Sequence, residues 1–230
     1  MGWPFGSTGR ERRAAEALPE GPLRTYLATP QPSPRTPLAE LPLLAVDMET
    51  TGLDPRQDRI LSIGWVPVDG AVVRLGGAGQ VVVSGAELGE DGVGQSATVH
   101  GLTDDRLEQG TPLAAAVEQL LDRLTGRVLL AHHVGLEAGF LKAACRRLWG
   151  VRVEPAVVDT MRLQQRVIAP GFDEEPRGDD LRLWNARARF GLPVLGAHDA
   201  LHDALAAAEL YLAQTAELGL EAADLRAVRS

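Results

Sequence analysis

Short apolar runs alternate with amphipathic stretches along most of the chain. Leu43-Leu44-Ala45-Val46 is a continuous apolar run that ends on Asp47, the pattern of a buried strand. Residues 59–68 are rich in Ile, Val and Trp, and Asp69-Gly70 is a two-residue hairpin signal leading into residues 71–75. Residues 80–84 complete a three-stranded meander. Thr111-Pro112 opens a helix that runs to Leu124, with Leu113, Val117, Leu120, Leu121 and Leu124 on one stripe. Residues 127–131 read as a buried strand, 136–149 as a helix and 157–159 as a short strand. Helical patterns return at 180–190 and 199–218. A meander followed by alternating helix and strand predicts an α/β domain, a mixed sheet flanked by helices.

The flanks have a different texture. Residues 8–18 fit one short helix, and Pro19, Pro22, Pro30, Pro32, Pro34 and Pro37 follow at a density that stops regular helices and strands. Two readings of residues 1–40 stay open: a partly ordered Pro-rich arm lying on the main domain, or a docking segment with Trp3 and Phe5 as anchors. The expected division is an arm over 1–40, the main domain over 41–218 and a tail over 219–230.

Composition narrows the class. Of 230 residues, 45% are hydrophobic and 23% charged, as in soluble globular proteins. No apolar run approaches the ~20 residues needed to span a bilayer, so no membrane role is expected. The first residues lack the apolar stretch of a secretory signal, and the single cysteine, Cys145, excludes an internal disulfide framework and a Cys-rich zinc site; the expected compartment is the cytoplasm. The net charge of −8 argues against a protein that coats duplexes by neutralising phosphates. Action on a strand end stays open if metal ions supply positive charge locally.

Several carboxylates sit where a core should be. Asp47 and Glu49, two residues apart on an extended strand, share one face while Met48 points to the other. Two like charges at the end of a buried strand are costly unless a cation lies between them, and hard divalent cations prefer oxygen ligands. Thr50-Thr51-Gly52-Leu53 follows, with hydroxyls and a glycine that lets a ligand approach the backbone closely. Glu137 borders the stripe of Leu136, Phe140, Leu141, Ala144 and Leu148. Asp203 shares a face with Ala206, Ala207 and Leu210 on an Ala/Leu-rich helix, where an unpaired carboxylate takes a proton or finds a cation. His198 lies five residues earlier, about 140° away on an ideal helix. It therefore belongs at or before the N-cap, folded over the entrance. His202, beside Asp203, points elsewhere, and His132 and His133 receive no chemical role.

Together these pieces resemble the DEDDh branch of the DnaQ-like 3′–5′ exonucleases. The resemblance is carried by Asp47-Met48-Glu49-Thr50-Thr51-Gly52-Leu53, by His100-Gly101-Leu102-Thr103, by the stretch 131–141 around Glu137, and by His198-Asp199-Ala200-Leu201-His202-Asp203. It covers residues 41–218. Two departures stand out: His133 where the family usually has Asn, and Glu137 where it usually has Asp, which keeps the charge but adds a methylene.

The resemblance implies a ribonuclease H-like fold, a mixed five-stranded sheet with an antiparallel meander and parallel strands. It also implies phosphodiester hydrolysis with two Mg2+ or Mn2+ ions, held by Asp47, Glu49, Glu137 and Asp203, with Asp47 bridging them. His198 would be the general base, and Thr50, Thr51, Gly52, Leu53 and His100 would meet the terminal nucleotide. The implied substrate is a single-stranded or frayed 3′ end of DNA, with RNA oligonucleotides as an alternative, and the product a nucleoside 5′-monophosphate. A replication or repair protein engaged through the N-terminal arm is a further expectation. The competing reading is a nucleic-acid-binding adaptor with the same fold and little turnover, favoured by His133 and Glu137.

Overall fold

The computed structural model describes residues 15–85, 107–168, 178–196 and 199–229. Six strands form one sheet: β1 (Pro42–Thr50), β2 (Ile60–Asp69), β3 (Val72–Val73), β4 (Gly79–Val82), β5 (Val128–Ala131) and β6 (Val157–Asp159). The helices are α1 (Pro22–Ala28), α2 (Leu113–Leu124), α3 (Gly135–Trp149), α4 (Thr160–Ile168), α5 (Leu183–Arg189) and α6 (Ala200–Glu217).

The sheet runs β3-β2-β1-β5-β6, with β4 also paired to β2. Val72 and Val73 pair near one end of β2, while Gly79 to Val82 pair with Trp65 to Ser62 further along the same edge. The two short strands thus share one position, and the six strands make a sheet five wide. The expected strand over 71–75 is cut short because residues Leu75–Gly77 turn into a 3-10 helix, pressed so closely on β2 that a Cβ on Gly77 would lie 2.9 Å from Pro67 Cγ. β1 is antiparallel to β2 and parallel to β5, which is parallel to β6. This is the ribonuclease H-like mixed sheet flanked by helices that the resemblance implies.

Strand alternation sorts the core into two layers. Leu44, Val46 and Met48 of β1 pack with α1, α2 and α3 on one face. Leu43 and Ala45 pack with α4 and α6 on the other, beside Leu225 and Val228. The odd-numbered series continues into Asp47 and Glu49, so both carboxylates lie on the face that α6 covers. β5 pairs with β1 only at Leu43, Leu44 and Ala45. Residues 47–50 therefore run past the end of β5, towards the crevice at the carboxyl ends of the parallel strands.

Two helices were not expected. α1 falls within the proline-rich stretch, but Pro22 occupies its first turn, where the missing N–H costs nothing, and Leu23, Tyr26 and Leu27 are buried at helical spacing. α4 buries Thr160, Leu163, Gln164 and Val167, an i, i+3, i+4, i+7 face half polar in composition and so without a hydrophobic signature. The 180–190 pattern resolves into a 3-10 turn, Gly178–Leu181, followed by α5. Among the described residues no helix is long and apolar enough to cross a membrane.

The two flanks meet. Leu38 N–H donates to the Ala223 carbonyl at 2.9 Å, Leu225 N–H to Thr36 at 3.0 Å and Arg226 N–H to Pro34 at 3.2 Å. The stretch 225–229 continues to an isolated bridge between Arg229 and Val158 of β6, and Leu225–Ala227 is a 3-10 turn.

Candidate active site

Each acid reaches the site for a local reason. Asp47 and Glu49 are on alternate positions of β1. Asp203 is in the first turn of α6 and Glu137 in the first turn of α3, so two helix N-termini, with their partial positive charge, point at the anionic strand end. α6 begins where it does because Asp199 is its N-cap, its Oδ1 accepting from the N–H groups of Leu201 and His202 at 3.1 Å each. α3 begins after a sharp turn at His133, the one non-glycine among the described residues with positive φ, +69°. That turn is held by Asp159, whose Oδ1 accepts from His133 N–H and Met161 N–H, both at 2.9 Å.

One oxygen from each of Asp47, Glu49 and Asp203 lies within 4.8 Å of the other two. Glu137 is outside this tight trio, yet it is near enough for its charge to raise the Asp47 pKa. Glu49 and Glu137 are buried, at 6% and 2% exposure, and Glu137 Oε2 has no hydrogen-bond partner among the described residues. Burial first, then the charges of Glu137, Asp203, Glu49 and Asp199, push the Asp47 carboxyl well above its ordinary range. Burial, with Asp203 and Asp199, lifts Glu49 to about 7. Burial lifts Glu137 to about 8, with its own backbone N–H pulling the other way and Asp159 adding to the rise. The pocket is a set of hard oxygen donors with more negative charge than it can hold by itself, which suits divalent cations of the magnesium and manganese type.

Gly64 was not singled out from the sequence and is central. It pairs with Asp47 across β1 and β2, and a Cβ on it would lie 2.2 Å from both C and O of Ala200 and 2.4 Å from Leu201 N. The backbone of α6 rests on the bare backbone of β2 there, which brings Asp203 to Asp47. Asp159 and Gly64 have no local signal because each acts on another element; Asp199 acts within its own helix, and an aspartate just before a helical pattern is the signal that marks it as a cap.

The 50–53 stretch opens a tight loop. Thr50 hydroxyl donates to the Gly52 carbonyl at 2.6 Å and Thr51 hydroxyl to Asp58 Oδ1 at 3.1 Å. The close approach at Gly52 is made by Asp58, whose carboxylate oxygens would lie 2.5 and 2.6 Å from a Cβ there. Leu53 stands 78% exposed. His202 has an exposed ring with Nδ1 3.7 Å from Asp199 Oδ1. His132 is structural: half-buried, with desolvation lowering its pKa, its Nε2–H donates to the Leu181 carbonyl at 2.7 Å while Nδ1 meets Thr160 Oγ1 at 2.8 Å. His100 and His198 lie outside the described residues.

The RNase T exonuclease family model matches residues 44–211, a span that contains all four carboxylates. The chain belongs to this exonuclease family. A relative, the DNA polymerase III subunit epsilon of Treponema pallidum (strain Nichols), is 31% identical over 169 residues, covering 73% of each chain. The exonuclease-family region also matches the PolC-type DNA polymerase III of Thermotoga maritima at 24% identity, but spans only 11% of that protein. Among solved structures, cell-death related nuclease 4 (CRN-4) superposes with a TM-score of 0.65 at 15% identity, over 80% of this chain and 66% of that one. Exonuclease I of E. coli in complex with a 5cy-dT13 oligonucleotide gives 0.61 at 19%, over 79% and 42%. At such identities the likeness is one of fold.

Proposed function

We propose that this exonuclease-family chain is a metal-dependent 3′–5′ exonuclease that releases nucleoside 5′-monophosphates from the 3′ end of DNA. The observation that carries this reading is the convergence of Asp47, Glu49 and Asp203 oxygens within 4.8 Å, next to the buried carboxyl of Glu137. Two Mg2+ or Mn2+ ions fit these donors and would supply, when bound, water activation and stabilisation of the leaving oxygen. Asp47, Glu49 and Asp203 would hold one ion, and Asp47 with Glu137 the other.

The chain's own groups do the rest. His198, adjacent to the Asp199 cap, would take the proton of the attacking water, a task that suits an imidazole near neutral pH. The 50–53 turn, with Leu53 exposed, would receive the terminal nucleotide, with His100 as a further contact. The net charge of −8 favours brief encounters with strand ends over long tracking along DNA. Tight engagement then calls for a protein that holds the substrate. The relation to polymerase III subunits supports a replication partner, and the N-terminal arm is the proposed contact. The proposed setting is the cytoplasm.

Digestion of matched DNA and RNA oligomers tests the reading, with magnesium, manganese or chelator present. Mononucleotide release from the 3′ end of DNA, abolished by chelator and by Asp47→Ala, is the expected result. Faster release from RNA would transfer the assignment to an exoribonuclease, and binding without release would make the protein an adaptor.

A further inference from the structure

The 51–59 loop is bonded to itself through Asp58. Asp58 Oδ1 accepts from Thr51 hydroxyl at 3.1 Å and Oδ2 from Asp54 N–H at 2.8 Å. Thr51 Oγ1 in turn accepts from Arg59 N–H at 3.0 Å, and Thr51 N–H donates to the Arg59 carbonyl at 3.0 Å. Asp54 closes the tip: its side chain accepts from Arg56 N–H at 2.9 Å and from Gln57 Nε2 at 2.7 Å, and its carbonyl accepts from Gln57 and Asp58 N–H. Pro55 seats this unit on α3, where a Cβ on Gly139 would be 3.0 Å from Pro55 Cγ, two residues beyond Glu137.

These bonds have a chemical consequence for what the loop presents. Both threonine hydroxyls donate inward, to Gly52 and Asp58, while Leu53 is held out in solvent at 78% exposure. A leucine in water on a loop this well tied is a contact surface kept ready. Its side chain offers an apolar face and no hydrogen-bonding group, so it can pack on any base without reading its edges.

We infer that Asp58 is a positioning residue for substrate: it fixes the 51–59 loop so that Leu53 packs on the terminal base, giving binding that tolerates any sequence. This rests on the nuclease reading above. The Asp58 carboxylate bonds to Thr51 and Asp54 and to none of the four site acids, so its loss should weaken substrate binding and leave turnover intact.

Five proteins decide it: wild type, Asp58→Ala, Asp58→Asn, Leu53→Ala and the double variant Asp58→Ala/Leu53→Ala. Amide exchange at Asp54, Asp58 and Arg59 should accelerate in Asp58→Ala, recover in part in Asp58→Asn, and stay unchanged in Leu53→Ala. KM for a single-stranded oligothymidylate should rise about tenfold in Asp58→Ala and in Leu53→Ala, with kcat within about twofold of wild type. The double variant should rise no further, because both changes remove one contact. Manganese affinity, read by calorimetry, should be unchanged. Unaltered exchange in Asp58→Ala, additive effects in the double variant, or a loss confined to kcat would overturn the inference. A wild type that releases no nucleotide sinks the nuclease reading instead. The comparison then passes to oligothymidylate affinity in calcium, where equal binding by wild type and Asp58→Ala, or no binding by either, removes the inference as well.

Discussion

Gly64→Ala is the smallest change that should dismantle the site. The added methyl would sit 2.2 Å from the Ala200 carbonyl group and 2.4 Å from Leu201 N. Carbon contacts are comfortable at about 3.5 Å, so the start of α6 must retreat by more than about 1 Å. Both neighbours are backbone in the first turn of a helix, and no rotamer change can relieve the clash. The retreat carries Asp203, one turn on, away from Asp47 and Glu49, whose oxygens now lie within 4.8 Å of its own. Metal sites tolerate about 0.2 Å, and a misplacement of about 1 Å costs roughly a hundredfold in rate. Overpacking of this kind destabilises by about 1–3 kcal/mol, which lowers Tm by about 2–12 °C in a chain of this size. The assay is 3′-end release with manganese alongside a melting curve, with Gly76→Ala as control, since a Cβ at Gly76 meets nothing within 4 Å. Wild-type turnover and Tm in Gly64→Ala would refute the reasoning.

Other outcomes follow from the buried acids and the supports around them. Glu49 and Glu137 hold protons to about 7 and about 8, above the ordinary value, so the metal-free fold binds more protons than the unfolded chain. The stability this contributes is complete below about pH 4.5 and is lost as pH rises through those values; metal-free Tm should fall between pH 5 and pH 8, and manganese should raise Tm more at pH 8 than at pH 5. Glu137→Gln, which keeps the shape and removes the charge, should raise metal-free Tm at pH 8 by a few degrees, roughly 2–8 °C, leave it unchanged at pH 5, and cut nucleotide release. Arg187 is 1% exposed, donating to the carbonyls of Ala206 and Pro193 and to Glu209, all at 2.8 Å. Arg187→Ala should therefore cost about 2–4 kcal/mol and lower Tm by about 5–15 °C, read by thermal melting.

The part of the site visible in the sequence was the part written in local periodicity. Asp47 and Glu49 break a continuous apolar strand run on one of its faces, and Asp203 interrupts a helix that is apolar nearly all round. The supports were not visible, because their partners are remote in sequence. Asp159 grips the His133 turn 26 residues away, and Gly64 is indispensable only once α6 lies on it. Apolar pattern also fails where polar groups face inward: α4 buries Gln164, which accepts from Gln214 Nε2 at 3.0 Å, and α1 is hidden among prolines until Pro22 is recognised as a helix opener. The glutamate in place of aspartate at position 137 posed a question of reach that pattern cannot answer; the structure buries it beside Asp47 with one oxygen unpartnered among the described residues.

The stitching of residues 34–38 to 223–226 gives the evolutionary unit and the folding unit different outlines. The family match stops at residues 44 and 211, but Leu38, Leu225 and Val228 are buried in the layer that also contains Leu43, Ala45 and Tyr211. A fragment trimmed to the family borders would bare that layer to water and lose the clasp across the outer side of β6. Deletion mapping on this chain would then report inactive pieces whose chemistry is intact and whose hydrophobic floor is missing.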